Sequence, residues 1–344
     1  AVQPRSRTLV QGAKSIPLGP QFGPVIVWDA ETGRELRRFA KDHGRTLGVS
    51  LSSDGRTLAA ACQDGTIVLW DPETGRVRAE LAGEANSAYG VALSPDGHWL
   101  AAAGSGETVR LWEVLTGKVA RQYAGTNPYV RCVAFARDGR RFATGGNDTN
   151  VLIWDATGRG SVVAGTISAA ELDRLWTDLA ALDAPRAHRA FWVLADAPAQ
   201  AVSMCRQRLR PANHPDLSKL DGYLADLDSD EFAARTSAEQ SLIKMAGDAE
   251  SVEAVERALR RIAESAQSLE ARTRAQHLLE NLRDPVPGPE LLRALRAVGI
   301  LEQIASPAAI QVLQTLASGA TEAPLTRHAK SALQRISSAT RGAG

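Results

Sequence analysis

Two hydrophobic rhythms divide the chain. Up to about residue 167, apolar residues come in short runs that alternate with polar ones, as in GVSLS (48–52), GVALS (90–94) and CVAFA (132–136). Alternation over about five residues predicts strands with one face buried. The pattern also repeats. Trp28, Trp70, Trp112 and Trp154 each close an apolar run, each precedes an acid, and each lies 42 residues from the next. Asp-Gly pairs at 54–55, 96–97 and 138–139 keep the same interval. Thr-Gly pairs follow the tryptophans at 32–33, 74–75, 116–117 and, one residue early, 157–158. Such pairs supply the backbone freedom of tight turns. Each unit therefore reads as three hairpin-linked strands, the third ending in Trp, then a turn and an outer strand. After Ile167 the apolar spacing changes to three or four. Leu217, Leu220, Leu224 and Leu227 follow it, as do Val252, Val255, Leu259 and Ile262, and then Leu325, Ala329, Leu333 and Ile336. This is the stripe of an amphipathic helix. Ser168 with Glu171 forms a capping box, and Ser306-Pro307 reads as an N-cap followed by Pro at the first helical position. Breaks at 211–215, 247–248, 285–289 and 318–324 leave about ten helices.

A repeat in the low forties is the signature of a β-propeller blade. Residues 92–118, ALSPDGHWLAAAGSGETVRLWEVLTGK, resemble a WD40 repeat closely, and the resemblance runs from residue 1 to about 166. It implies stacked four-stranded blades at about 1–40, 41–82, 83–124 and 125–166, with the tryptophans as blade core, holding partners on their faces. The family's Gly-His pair is replaced here by Lys41-Asp42, Gly83-Glu84 and Gly125-Thr126. Asp64 and Asp148 keep the acidic position of the buried relay that this His anchors, whereas Gly106 or Glu107 stands there in the third blade. Ala1-Val2-Gln3-Pro4 align with Ala92-Leu93-Ser94-Pro95, so the sequence opens inside a blade. That predicts a fragment lacking upstream blades, with a short propeller closed by a second copy as the rival. Ser15 to Gln21 read as an inserted loop. Residues 167–344 are expected to be all-α. A first helical group should span 168–210, followed over 216–340 by hairpins resembling HEAT repeats. The expected pairs are 228–247 with 252–265, 269–283 with 289–304, and 307–318 with 324–337. The fold class is thus a WD40 β-propeller segment of four blades joined to a HEAT-like helical-repeat domain. The combination is similar to a bacterial group of WD40 proteins with helical extensions, most of all in LADLDSDEFAAR (224–235).

Composition narrows the function. The 344 residues carry 40 Lys and Arg against 39 Asp and Glu. Neither half has the basic excess of a nucleic-acid binder, and no apolar run is long enough to span a membrane. Cys62, Cys132 and Cys205 lack CxxC spacing and read as buried, reduced thiols, which favours the cytoplasm. Candidate chemistry is sparse. Ser241 and Lys244 have SxxK spacing without companion motifs, and Gly104-Ser105-Gly106 reads as a hairpin. His43, His98, His188, His214, His277 and His328 form no metal-ligand pattern, so neither metal nor cofactor is expected. His98, just after an Asp-Gly turn, should be exposed. The doublets Arg37-Arg38, Arg140-Arg141 and Arg260-Arg261 read as solvated faces. Trp176 and Trp192 should dock the first helices, with the last blade as the candidate surface; Trp99 opens a second strand.

The resemblance places the entry to each blade's first strand on one rim. The repeat puts Arg45, Ser87 and Tyr129 there, with Leu47, Tyr89 and Arg131 two residues on. Residues two apart on a strand point the same way. Tyr and Arg are enriched at interaction hot spots. The expected function is a non-catalytic scaffold for protein or peptide partners, able to self-associate through open propeller flanks. The alternative is the accessory or sensor portion of a larger kinase- or protease-type enzyme.

Overall fold

The computed structural model describes residues 8–11, 24–39, 43–83, 87–125, 129–159, 166–213, 217–246, 251–266, 268–281, 287–321 and 323–341. The expectations for residues 1–4, the 15–21 loop, Lys41-Asp42, Glu84, Thr126 and His214 fall outside these.

Four antiparallel meanders stand one after another. The first holds β1 (Thr8–Gln11), β2 (Val25–Asp29) and β3 (Glu35–Phe39). The second holds β4 (Thr46–Leu51), β5 (Leu58–Cys62), β6 (Thr66–Trp70) and β7 (Val77–Ala82). The third holds β8 (Ala88–Leu93), β9 (Trp99–Gly104), β10 (Thr108–Glu113) and β11 (Lys118–Ala124). The fourth holds β12 (Val130–Phe135), β13 (Arg141–Gly146) and β14 (Val151–Asp155). Their first strands, β4, β8 and β12, run side by side.

Alternation gives each sheet two apolar faces, and those faces stack. Val25, Val27 and Phe39 of the first sheet share a core with Leu58, Ala60, Val68 and Trp70 of the second. Ile67, Leu69 and Leu81 meet Leu100, Ala102 and Trp112 of the third. Val109, Leu111 and Tyr123 meet Phe142 and Trp154 of the fourth. Each of these three tryptophans thus leans on the preceding sheet, with Trp70 5.7 Å from Phe39 and Trp154 5.5 Å from Tyr123 between ring centroids. Trp28 is half-buried, on the face of the first sheet turned away from Val25 and Val27. The ladder slips at Trp28, Trp70 and Trp112, where a bulge re-aims the strand toward its Thr-Gly turn.

The helices are α1 (Ala169–Asp178), α2 (Ala184–Ala195), α3 (Pro198–Arg208), α4 (Leu220–Asp226), α5 (Phe232–Ala246), α6 (Val252–Ser265), α7 (Leu269–Asn281), α8 (Pro289–Ile304), α9 (Pro307–Ala317) and α10 (Pro324–Arg341). The side-chain oxygens of Ser168, Asp183 and Ser306 accept from the backbone N–H groups of Glu171, Arg186 and Ala309, capping α1, α2 and α9. The helices form two groups. Helices α4 to α7 enclose a core of their own around Leu227, Leu242, Val255 and Leu278. Helices α1 to α3 and α8 to α10 share one continuous core with the third and fourth sheets. The expected hairpin of 269–283 with 289–304 does not form. α7 lies on α6, while α8 packs on α2, α9 and α10. The cause is α8 itself, which buries Leu292, Leu295, Val298, Ile300 and Leu301 on several sides and needs neighbours all round.

Candidate interaction surfaces

The rim positions lie where β4, β8 and β12 begin, and local geometry turns their side chains outward. In each first pairing the register slips by one residue: between Thr46 and Gly48, Ala88 and Gly90, and Val130 and Cys132. The residue left out of the ladder is Leu47, Tyr89 or Arg131. A bulge frees that side chain from the sheet's alternation. Glycines allow the neighbouring strands to close up here. A Cβ on Gly48 would sit 2.5 Å from the Tyr89 carbonyl oxygen, and one on Gly90 would sit 3.1 Å from Cys132 Cα.

Three of the six positions form one cluster. The Tyr89 and Tyr129 rings lie 6.4 Å apart, and the Arg131 guanidinium sits 4.3 Å from the first and 5.7 Å from the second. Arg131 Nε donates to Asn147 Oδ1 at 3.1 Å, which holds it across the rings. Such cation–π contacts contribute about 0.5–1 kcal/mol at an exposed site. Tyr129 is 47% exposed and adopts φ +70°, a left-handed backbone that bulky residues avoid. Holding it costs on the order of 1–3 kcal/mol and keeps an aromatic ring in solvent. The other three positions do not join the cluster. Ser87 donates from Oγ to the Gln63 carbonyl (2.9 Å), Arg45 is exposed, and Leu47 is half-buried. His43 Nδ1 lies 2.8 Å from Asp64 Oδ2, so in this unit a histidine one residue beyond Lys41-Asp42 meets the relay's acid.

The opposite rim carries the Asp-Gly and Thr-Gly turns, and the helices dock there. Asp54 and Asp96, one repeat apart, accept from Arg335 Nη1 (2.7 Å) and Gln303 Nε2 (2.8 Å). Burial alone would raise the pKa of Asp54, but Arg335 and the Ser52 hydroxyl outweigh it and hold the carboxyl below its usual range. At the acid after Trp112, Arg296 donates to both carboxylate oxygens of Glu113 (2.6 and 2.7 Å) and to the carbonyls of Leu179 (2.6 Å) and Ala181 (2.8 Å). Arg140 and Arg159 both reach Asp196.

Three expectations are overturned, two of them by this docking. His98 is buried, because α8 crosses its turn, and a Cβ on Gly299 would sit 2.3 Å from His98 Nε2. Arg140 and Arg260 are partners at the junction rather than parts of a solvated face. Cys132 is exposed, on the outward face of the fourth sheet, while Cys62 and Cys205 are buried with thiols pushed up to about 11 and 12 by desolvation. Trp192 is fully buried beside Phe191 and joins the core shared with the last two sheets, and Trp99 meets Phe191 edge-on. None of these junction contacts is legible in the sequence, since each joins residues up to 281 positions apart.

Ser241 and Lys244 lie on α5, with Lys244 exposed. Among the described residues no group of three or more His, Cys, Asp or Glu is placed to hold a metal ion. No described helix is long and apolar enough to cross a membrane.

No curated protein matches the chain. A family model does: the WD domain, G-beta repeat, over residues 33–71, 75–113 and 117–155. Each match starts in a Thr-Gly turn and ends on the acid after a Trp. A sequence repeat therefore supplies the outer strand of one sheet and the three inner strands of the next, which stitches neighbouring sheets together covalently. Residues 33–155 are WD40 repeats, and a region of ten described helices follows them.

Proposed function

We propose that this chain is a non-catalytic scaffold that captures a protein or peptide partner on the rim bearing Tyr89, Tyr129 and Arg131. The observation that carries the reading is the bulge-presented cluster of two tyrosines and one arginine, with Tyr129 held exposed in a costly backbone conformation. WD40 repeats generally serve protein interaction, and Tyr and Arg dominate interaction hot spots. The helices occupy the other rim, which leaves this one facing outward. Tyr129→Ala with Arg131→Ala should abolish partner recovery in cross-linked native extracts while thermal unfolding stays unchanged. Recovery equal to that of the unmodified chain would remove the rim from the reading. The free cysteines support a reducing, cytoplasmic setting.

A second surface in this reading is the outward face of the fourth sheet. Val151 and Ile153 are 70% and 72% exposed. Their equivalents one repeat earlier, Val109 and Leu111, are both at 0%, and Ile67 and Leu69 before them are at 1%. In those cases the Trp-bearing face of another sheet covers them. The matching face in this chain is that of Trp28. The occupant proposed is therefore the first sheet of a second copy, giving head-to-tail self-association. Burying each such side chain contributes about 1.5–3 kcal/mol. Sedimentation should show a concentration-dependent dimer that Val151→Lys with Ile153→Lys dissociates. Cys132, on the same face, should react slowly with maleimide in the dimer and fast in the variant. A monomer with fast Cys132 labelling in the unmodified chain would overturn self-association and leave the rim reading intact.

A further inference from the structure

The arginine of the rim cluster is held in place without being neutralised. Arg131 Nε donates to Asn147 Oδ1 at 3.1 Å, and the Asn147 backbone N–H donates to the Tyr129 carbonyl at 3.3 Å. One residue of the β13–β14 hairpin thus fixes both the guanidinium and the approach to β12. The two tyrosine rings flank the same guanidinium. Among the described residues nothing accepts from its terminal nitrogens, and no carboxylate reaches it. Arg76, Arg140, Arg159, Arg296 and Arg335 differ, since each meets a carboxylate within 3.0 Å.

The acids of the rim hairpins do not fill this gap. Asp64 meets His43 at 2.8 Å. Asp148 accepts from the backbone N–H and the side-chain amide of Asn150 (3.2 and 3.0 Å). Glu107, exposed in the hairpin before β10, forms no ion pair with Arg131. Thr149, in the Asn147 hairpin, adopts φ +62°, so left-handed backbone at a non-glycine residue occurs here as well as at Tyr129. Such conformations concentrate at ligand clamps.

We propose that this rim selects a protein segment presenting an aspartate or glutamate side chain beside an apolar one. The inference rests on the rim being the partner site. The Arg131 fork receives the carboxylate, and the apolar group lies on the exposed Tyr129 ring. A carboxylate takes two parallel N–H bonds from a guanidinium. An arginine already ordered by ring stacking and by Asn147 loses little freedom on capture. A cationic partner is disfavoured, because Arg131 occupies the ring faces that a cation would need and repels it. A phosphoryl group carries close to two negative charges, and a single fork compensates one. A nucleic acid needs a row of basic groups along its backbone, whereas Arg45 is the one other arginine among the six rim positions.

The test is selection of a displayed library of random peptides on the full chain. Recovered sequences should share an Asp or Glu beside an apolar residue. Selection on Arg131→Glu should recover Lys or Arg in that place. The peptide recovered most often is then labelled with fluorescein and titrated by polarisation. It should bind Arg131→Ala about tenfold or more weakly, the loss expected of a charge-assisted hydrogen bond. Replacing its acid by the amide should cost as much on the unmodified chain and nothing further on Arg131→Ala. Arg45→Ala removes the same charge from the same rim and should change the affinity far less. Recovered sequences that lack an acid, or that carry Lys or Arg instead, would overturn the inference and leave the rim as the partner site. Equal loss in Arg45→Ala would overturn the fork in favour of diffuse attraction. Phosphoserine in place of the acid binding about tenfold more tightly would overturn the choice of carboxylate. Recovery no higher than on Tyr129→Ala with Arg131→Ala would overturn the rim reading itself.

Discussion

The contact between Arg296 and Glu113 makes the joining of sheets to helices measurable. Arg296 is 1% exposed and Glu113 2%. Arg296→Met keeps the stem and removes the guanidinium. Glu113 then retains the Thr116 hydroxyl (2.7 Å), while the carbonyls of Leu179 and Ala181 each lose a charged donor. Removing one partner of a buried ion pair costs about 3–5 kcal/mol, because the other charge stays desolvated. Replacing both removes the stranded charge, so Glu113→Leu with Arg296→Met should lie closer to the unmodified chain than Arg296→Met does. The assay is urea unfolding followed by tryptophan fluorescence, to which the seven tryptophans contribute, and by far-ultraviolet circular dichroism. Coincident transitions license the free-energy comparison. In the unmodified chain and both variants the two signals should stay coincident, because α1 to α3 and α8 to α10 share one core with the last two sheets. A single-variant cost below about 1 kcal/mol would refute the reasoning, since it would mean that water already solvates the pair.

Acid should weaken the same junction. Burial holds the His188 imidazole at about 4, its Nε2 lying 2.9 Å from the Ala156 carbonyl oxygen and 3.1 Å from Trp192 Nε1. The unfolded chain takes up a proton near pH 6.5 that the folded chain refuses until about pH 4, so stability falls as pH drops through that window, by about 3 kcal/mol from this one group. His328, held at about 3, acts in the same direction. His188→Gln should flatten part of the fall, and urea midpoints level between pH 7 and 4.5 in the unmodified chain would contradict the assignment. Gly299→Ala, favourable to an isolated helix, should instead destabilise by about 1–3 kcal/mol through overpacking against His98. A raised melting temperature would show that α8 does not press on that turn.

The interval of 42 residues determined more than the presence of strands. Val25, Ile67 and Val109 recur at one depth, as do Trp70 and Trp112, because alternation in a sheet fixes which face each residue joins. The order and pairing of the strands followed from the turns, since Asp-Gly and Thr-Gly connect only antiparallel neighbours at such short range. Capping residues fixed the starts of α1 and α9 for the same local reason. The rim cluster was half legible. Periodicity gathered Tyr89, Tyr129 and Arg131 on one edge, but the bulges that turn Tyr89 and Arg131 out of the ladder, and the left-handed backbone at Tyr129, are set by how closely β4, β8 and β12 approach.

Tertiary structure alone decided the rest. His98 is polar and follows a turn, which locally means solvent; a helix two hundred residues later buries it. Arg140 and Arg260 sit in doublets that look solvated until Asp196 and the Thr74 carbonyl arrive from other elements. The space between the turn rim of the second and third sheets and helices α6, α8 and α10 has no signature in any single segment, because its walls come from two sheets and three helices. Local sequence governs backbone preference and face, both of which act over a few residues. Charge partners, cavities and the burial of a polar turn depend on which surfaces meet, and that is a property of the packed whole.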